Sequence, residues 1–173
     1  MSDVRSLSRE LLANEARNLH AIQKNAKAMM DRVIDRLDDY PDAKQRLIAH
    51  LSDKDNEMRR LEVVLQDLGE DLSSVEDSAM SMMGRLAGAM TGSLDDDIIK
   101  SSMITYGLAS YEICAYEGMI VLAEKAEQPT AVSLLESCLA EEQAMAQWLH
   151  EHMTPTLEQY LKLRCEEGRA AAH

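Results

Sequence analysis

Phenylalanine is absent from the chain, and proline and glycine are scarce, at 3 and 7 of 173 residues. With so little of the material that favours strands and turns, a sheet-rich or loop-rich fold is excluded. Cysteine occurs at Cys114, Cys138 and Cys165, an odd and widely spaced set that makes no disulfide framework. Cys114 and Cys138 fall within apolar helical patterns and read as buried, reduced thiols. No apolar run approaches the length of a membrane span, and the first residues lack a hydrophobic signal region, so the cytoplasm is the expected compartment. Positive charge is also short: 18 Lys and Arg against 31 Asp and Glu leave a formal net charge of −13. A field of that sign repels phosphate backbones and anionic headgroups, which argues against nucleic acid and membrane surfaces as partners. The same acidity suits cation collection and, more commonly, simple solubility.

What is abundant forms helices. Leu, Ala, Met, Glu, Lys and Arg dominate, and apolar residues make up 46% of the chain. An all-α protein is expected, with one domain over residues 1–167 and a flexible alanine-rich tail over 168–173. Apolar spacing by threes, fours and sevens predicts a first helix from Ser6 to Asp38 through Leu12, Leu19, Ala26, Met30, Val33 and Leu37. Asp38-Asp39-Tyr40-Pro41-Asp42 is a tight break, with Pro41 suited to the first turn of the next helix. The second helix carries Leu47, Leu51, Met58, Leu61, Leu65 and Leu68 and stops at Gly69.

From Gly69 to Gly92 the chain is rich in Ser, Met and Gly, too long for a hairpin turn, and is expected to hold a short helix from Ser74 to Leu86. Its Met cluster reads as adaptable apolar packing rather than as a soft-metal site. A third long helix is expected from Ser93 to Lys125, with Asp95, Asp96 and Asp97 complementing its dipole. After Glu127-Gln128-Pro129-Thr130 comes a fourth, expected to end before Thr154-Pro155, which would cap a short fifth helix carrying Leu157, Tyr160 and Leu161. The connections are thus short, long, short. A long crossover lets the second and third helices run parallel, and that is the ferritin-like four-helix bundle rather than an up-down-up-down one.

Carboxylates interrupt the core-facing rows in three places. Glu112 lies in the row Ile104, Leu108, Ala115, Met119, Leu122, and Glu142 in the row Leu135, Cys138, Met145, Leu149, with Glu141 beside it. On the second helix, His50, Asp53 and Glu57 share a face with Leu61, Val64 and Leu68. A buried carboxylate needs a hydrogen-bond partner, a counter-charge or a metal. Each of these groups alone is explained by ordinary pairing. Together, hard oxygens and one imidazole from facing helices would suit iron or manganese. Yet the chain has no Glu-x-x-His, and His50-x-x-Asp53 offers that spacing only in reverse order.

Asp39-Tyr40-Pro41, His50-Leu51-Ser52-Asp53, Tyr111-Glu112-Ile113-Cys114-Ala115-Tyr116, and Glu141-Glu142-Gln143 with Trp148-Leu149 resemble the YciE/YciF family of bacterial stress proteins. The likeness is closer to the YciE branch and extends over nearly the whole chain. It implies a fold similar to ferritins and rubrerythrins, an association with stress responses, and a carboxylate metal site. Against that pattern the site looks eroded. Gln23 stands where relatives have a glutamate, Asp53-Lys54 where they have Glu-Thr, and Ala109 where they offer a further acid. Glu141 and Glu142 match the family's paired acids, and Glu57 replaces what is often Gln.

The expectation is therefore a ferritin-like stress-response protein with a weakened metal site among His50, Asp53, Glu57, Glu112, Glu141 and Glu142. It would hold at most one iron or manganese ion, weakly, and act mainly as a scaffold or partner-binding protein. The alternative is a di-iron or di-manganese oxidoreductase using oxygen or peroxide. Nothing announces a storage shell, and no nucleophilic triad, phosphate loop or Cys-x-x-Cys offers another chemistry. Surplus apolar residues in the crossover and in the short fifth helix suit a homodimer.

Overall fold

The computed structural model describes residues 2–70 and 98–170. Within them lie helices α1 (Ser2–Ile34), α2 (Pro41–Asp67), α3 (Ile98–Lys125) and α4 (Pro129–Ala170). The short helix expected over 74–86, its methionines, and the expected start of the third helix at Ser93 lie outside the described residues. Among the described residues there is no strand, and no helix is long and apolar enough to cross a membrane.

Local signals in the sequence place most of the helix ends. Pro41 opens α2, where its missing N–H has no partner to lose. α2 closes at Gly69, whose φ of +74° only glycine adopts without strain. Glu70 N–H then bonds the Leu65 carbonyl at 3.0 Å and Gly69 N–H that of Gln66 at 2.9 Å, which satisfies carbonyls left over at the helix end. The same pair of bonds ends α3, with Glu127 at φ +56° in the glycine-like position. α1 starts and stops earlier than predicted. Beyond Ile34 the chain tightens, Leu37 N–H bonding the Ile34 carbonyl at 3.2 Å and Tyr40 N–H that of Leu37 at 3.0 Å. Leu37 is nevertheless buried, because this turn folds it under the bundle end.

The apolar core falls into two clusters, one at each end. Leu12, Leu19, Leu61, Leu65, Met119, Ala123, Ala131 and Leu135 belong to the first. Ala26, Met30, Leu47, Leu108, Met145 and Leu149 belong to the second. One end thus gathers the start of α1, the end of α2, the end of α3 and the start of α4. α2 and α3 therefore run parallel, and each helix is antiparallel to its neighbours: α1 packs against α2 and α3, and α4 against α3 and α2. α2 finishes at the end of the bundle opposite to where α3 begins, the long-crossover topology expected from the spacing of the breaks.

Two expectations need correction. The short fifth helix expected after Thr154-Pro155 is not separate among the described residues: α4 continues through Pro155 to Ala170. A proline inside a helix forfeits one backbone hydrogen bond, here to the Glu151 carbonyl, but the residues around it favour helix and both flanks are held. Before it, His152 stacks on Trp148 at 3.9 Å and its Nδ1 donates to the Trp148 carbonyl at 2.8 Å. After it, Gln159 Nε2 donates to the Asp39 carbonyl, tying the far part of α4 to the α1–α2 turn. Cys114, expected inside, is exposed, whereas Cys138 is buried. Cys114 lies at the edge of the apolar pattern of α3, on the outer face.

Pro155 is exposed, so its side chain supports no core contact that would be lost. Pro155→Ala should therefore raise stability by about 1–3 kcal/mol through the recovered hydrogen bond and helix propensity. Thermal unfolding measures it, and a lowered Tm would show that α4 needs its proline.

Candidate metal centre

Between the two apolar clusters lies a polar layer drawn from all four helices. α1 contributes Gln23, α2 contributes His50, Lys54 and Glu57, α3 contributes Glu112 and Tyr116, and α4 contributes Glu142. None of these side chains is more than 1% exposed. On α2, positions 47, 50, 54, 57, 61 and 64 follow one another by threes and fours, so that face turns inward along its length.

The ammonium of Lys54 is the hub. Nζ donates to Glu112 Oε2 and Glu142 Oε1, and to Glu57 Oε2 at 3.2 Å. An ammonium has three N–H donors, and here each meets a different glutamate. Glu57 Oε2 also accepts from Gln23 Nε2 at 2.5 Å and from the Tyr116 hydroxyl at 2.9 Å, while Gln23 Nε2 lies 2.6 Å from that hydroxyl. His50 Nε2 is 3.7 Å from Glu142 Oε1, close but short of a hydrogen bond. Among the described residues, six buried side-chain atoms lack a partner, including His50 Nδ1, Gln23 Oε1, Glu57 Oε1, Glu112 Oε1 and Glu142 Oε2.

Burial and neighbouring charge set the protonation states. Burial pulls Lys54 down, but Glu112, Glu142 and Glu57 together outweigh it and hold the ammonium charged above its ordinary range. Burial, reinforced by Glu112 and opposed by Lys54, pushes Glu142 up to about 10, so it carries a proton at neutral pH. Burial also raises Glu57, against the charge of Lys54, which lowers it. His50 is driven down to about 2 by burial and then by the charges of Lys54 and Arg46, so it is neutral. Burial and the nearby Glu57 push the Cys138 thiol up to about 12.

Of the residues singled out in the sequence, Glu57, Glu112 and Glu142 come together, with oxygens within 4.8 Å of one another. His50 borders them. Asp53 and Glu141 do not join. Asp53 is one residue off the inward row and turns toward the surface, 3.6 Å from Arg46 and 3.8 Å from His50 Nδ1. Glu141 is rotated away from Glu142 and takes both arms of Arg60, at 2.6 and 2.8 Å. Lys54 and Tyr116 were missed as members of the layer. A signal for Lys54 existed, since it continues the inward row as regularly as Asp53 does, but a lysine is rarely buried unless paired.

Three buried carboxylates are hard oxygen donors and could hold a metal ion. The residues around them do not fit one as they stand. The position among those oxygens belongs to Lys54 Nζ, and a divalent ion would meet a positive charge there. No chemical step through a metal follows from this arrangement.

Residues 8–162 match the protein family described as "Domain of unknown function (DUF892)". The fold is also similar to that of a protein from Xanthomonas campestris pv. campestris, seen in a crystal structure, with a TM-score of 0.75. That likeness has 24% sequence identity and covers 91% of this chain and 98% of the other. At this identity it shows a shared fold.

The protonation states make stability depend on pH in opposite senses on the two sides. Glu142 has a folded pKa raised from 4.5 to about 10. The folded state therefore holds a proton that the unfolded chain has lost, and stability declines as pH rises through that window. His50 has a folded pKa lowered from 6.5 to about 2, so stability declines as pH falls through that lower window. Glu142→Gln should flatten the alkaline limb and His50→Gln the acid limb, read by urea unfolding across both windows. Unchanged slopes would place the responsible protons elsewhere.

Proposed function

This chain belongs to the family described as Domain of unknown function (DUF892), which is YciF-like, and from that premise we propose a cytoplasmic, homodimeric stress-response scaffold of the YciE branch rather than a redox enzyme. The observation that carries the reading is the donor set of the centre. It has three carboxylates close enough to share one ion, and α1 supplies an amide, Gln23, where the resemblance expects an acid. Ala109 is buried and offers no ligand at all. Oxygen or peroxide chemistry at paired iron or manganese needs two ions held with open positions, and this donor set falls short of that. The centre in this reading is a weakened, at most single-ion relic within a bundle used for binding.

The surface supports a partner-binding role. From Met103 to Tyr116 the only charged residue is Glu112, and it is buried. The outer face of α3 therefore presents Met103, Tyr106, Gly107, Tyr111 and Cys114 to solvent without a charge among them. In a chain of net charge −13, that face lets two copies meet with least repulsion. Small Gly107, with open space around its Cα, permits close approach.

Two measurements test the reading. Light scattering should give about twice the 19.4 kDa chain mass, and Tyr106→Glu should shift it toward a single chain. Elemental analysis and manganese titration should find fewer than two ions per wild-type chain. Gln23→Glu with Ala109→Glu should raise manganese uptake and lower the Tm of the metal-free protein, because the new acids would crowd Glu57 and Glu112. Two tightly held ions per wild-type chain would overturn the reading in favour of the enzyme.

A further inference from the structure

We infer that Lys54 is the resident cation of the bundle centre: its ammonium sits among Glu57, Glu112 and Glu142 in place of a metal ion and excludes one. The inference rests on the single-ion reading above and takes it further, since even the one position that the carboxylates define is filled from within the chain.

Four observations support the assignment. The side chain is 1% exposed and ends among carboxylates of α2, α3 and α4 rather than snorkelling to solvent. The match of donors to acceptors is complete, with one N–H for each glutamate. A metal bonded to those oxygens would sit about 2–2.5 Å from each, in the space that Nζ occupies. Finally, Glu57 Oε1, Glu112 Oε1 and Glu142 Oε2 have no hydrogen-bond partner among the described residues. The carboxylates thus have more ligand capacity than one ammonium uses, which is what a donor set suited to a metal would leave over. The surrounding groups complement the smaller charge. Gln23 and Tyr116 donate to Glu57 and quieten it, a service that a glutamate at position 23 could not perform.

An ammonium tethered to α2 is present from the moment the helices meet and needs no loading. It also has no open coordination position and no redox states, so the centre becomes a structural one. An external ion would have to displace a charge that is covalently held and hydrogen-bonded on three sides.

The test compares wild type, Lys54→Met and Lys54→Met with Glu112→Gln, each with manganese(II), cobalt(II) or EDTA. Wild type should show the same Tm under all three conditions and no saturable uptake by calorimetry. Lys54→Met, which leaves the carboxylates without a cation, should lose Tm in EDTA and recover it with manganese(II). It should then bind one ion per chain at least about tenfold more tightly than wild type, because the like charge is gone. The double variant removes one charge of each sign, so it should fold in EDTA and gain little from metal. Failure of manganese(II) and cobalt(II) to rescue Lys54→Met would overturn the assignment. Binding of one ion by wild type as tightly as by Lys54→Met would overturn it too, while leaving the single-ion scaffold reading in place. Two ions in wild type would overturn both.

Discussion

A charged lysine in the middle of a helical bundle constrains everything around it. Removing an ammonium and its carboxylate partners from water costs several kcal/mol per ion, and that cost is offset only when the geometry is close and every donor is used. Lys54 meets the condition by reaching one oxygen on each of three glutamates. Those glutamates sit on α2, α3 and α4, so the three helices can be satisfied together in only one register. α1 joins through Gln23, which bonds Glu57 and lies against Tyr116. The two apolar clusters supply most of the burial energy, and the polar layer between them fixes how the helices slide.

That arrangement also governs chemistry. With the ammonium in place, the carboxylates are neutralised by the chain itself: Lys54 stays charged and Glu142 holds a proton. The bundle keeps the topology and the inward acids that suit metal binding, but the positive charge is supplied by a side chain. A ferritin-like fold does not require ferritin-like reactivity, because function resides in the site and not in the scaffold. Among the described residues, the outer face of α3 from Met103 to Cys114 is a stretch without exposed charge in an otherwise acidic chain.

Much of the fold was legible in the sequence. The apolar series of α1 and α2, the break at Pro41 and the glycine stop at Gly69 are local signals, and short-range physics reads them directly. The long connection between two helical hairpins implied parallel α2 and α3. The fifth helix was misread because Thr154-Pro155 looks like a start signal, whereas its tertiary anchor, Gln159 on the Asp39 carbonyl, is distant in sequence. Glu57, Glu112 and Glu142 could be picked out because each interrupts an apolar row. Asp53 and Glu141 were included with them because a helical repeat of 3.6 leaves neighbours such as 53 and 54, or 141 and 142, equally placed on paper.

The sequence by itself determined the helical class, the hairpins, the crossover topology and the depth at which polar groups enter the core. These depend on propensity, spacing and chain length, which act along the chain. It could not determine which of two adjacent residues faces inward, or that a lysine, normally a surface residue, would be the cation at the centre. Whether Lys54 points in or out depends on the presence of Glu112 and Glu142 at bonding distance, and those lie 58 and 88 residues further along the chain. Only the assembled bundle brings three carboxylates to one point, and only there does burying an ammonium become favourable.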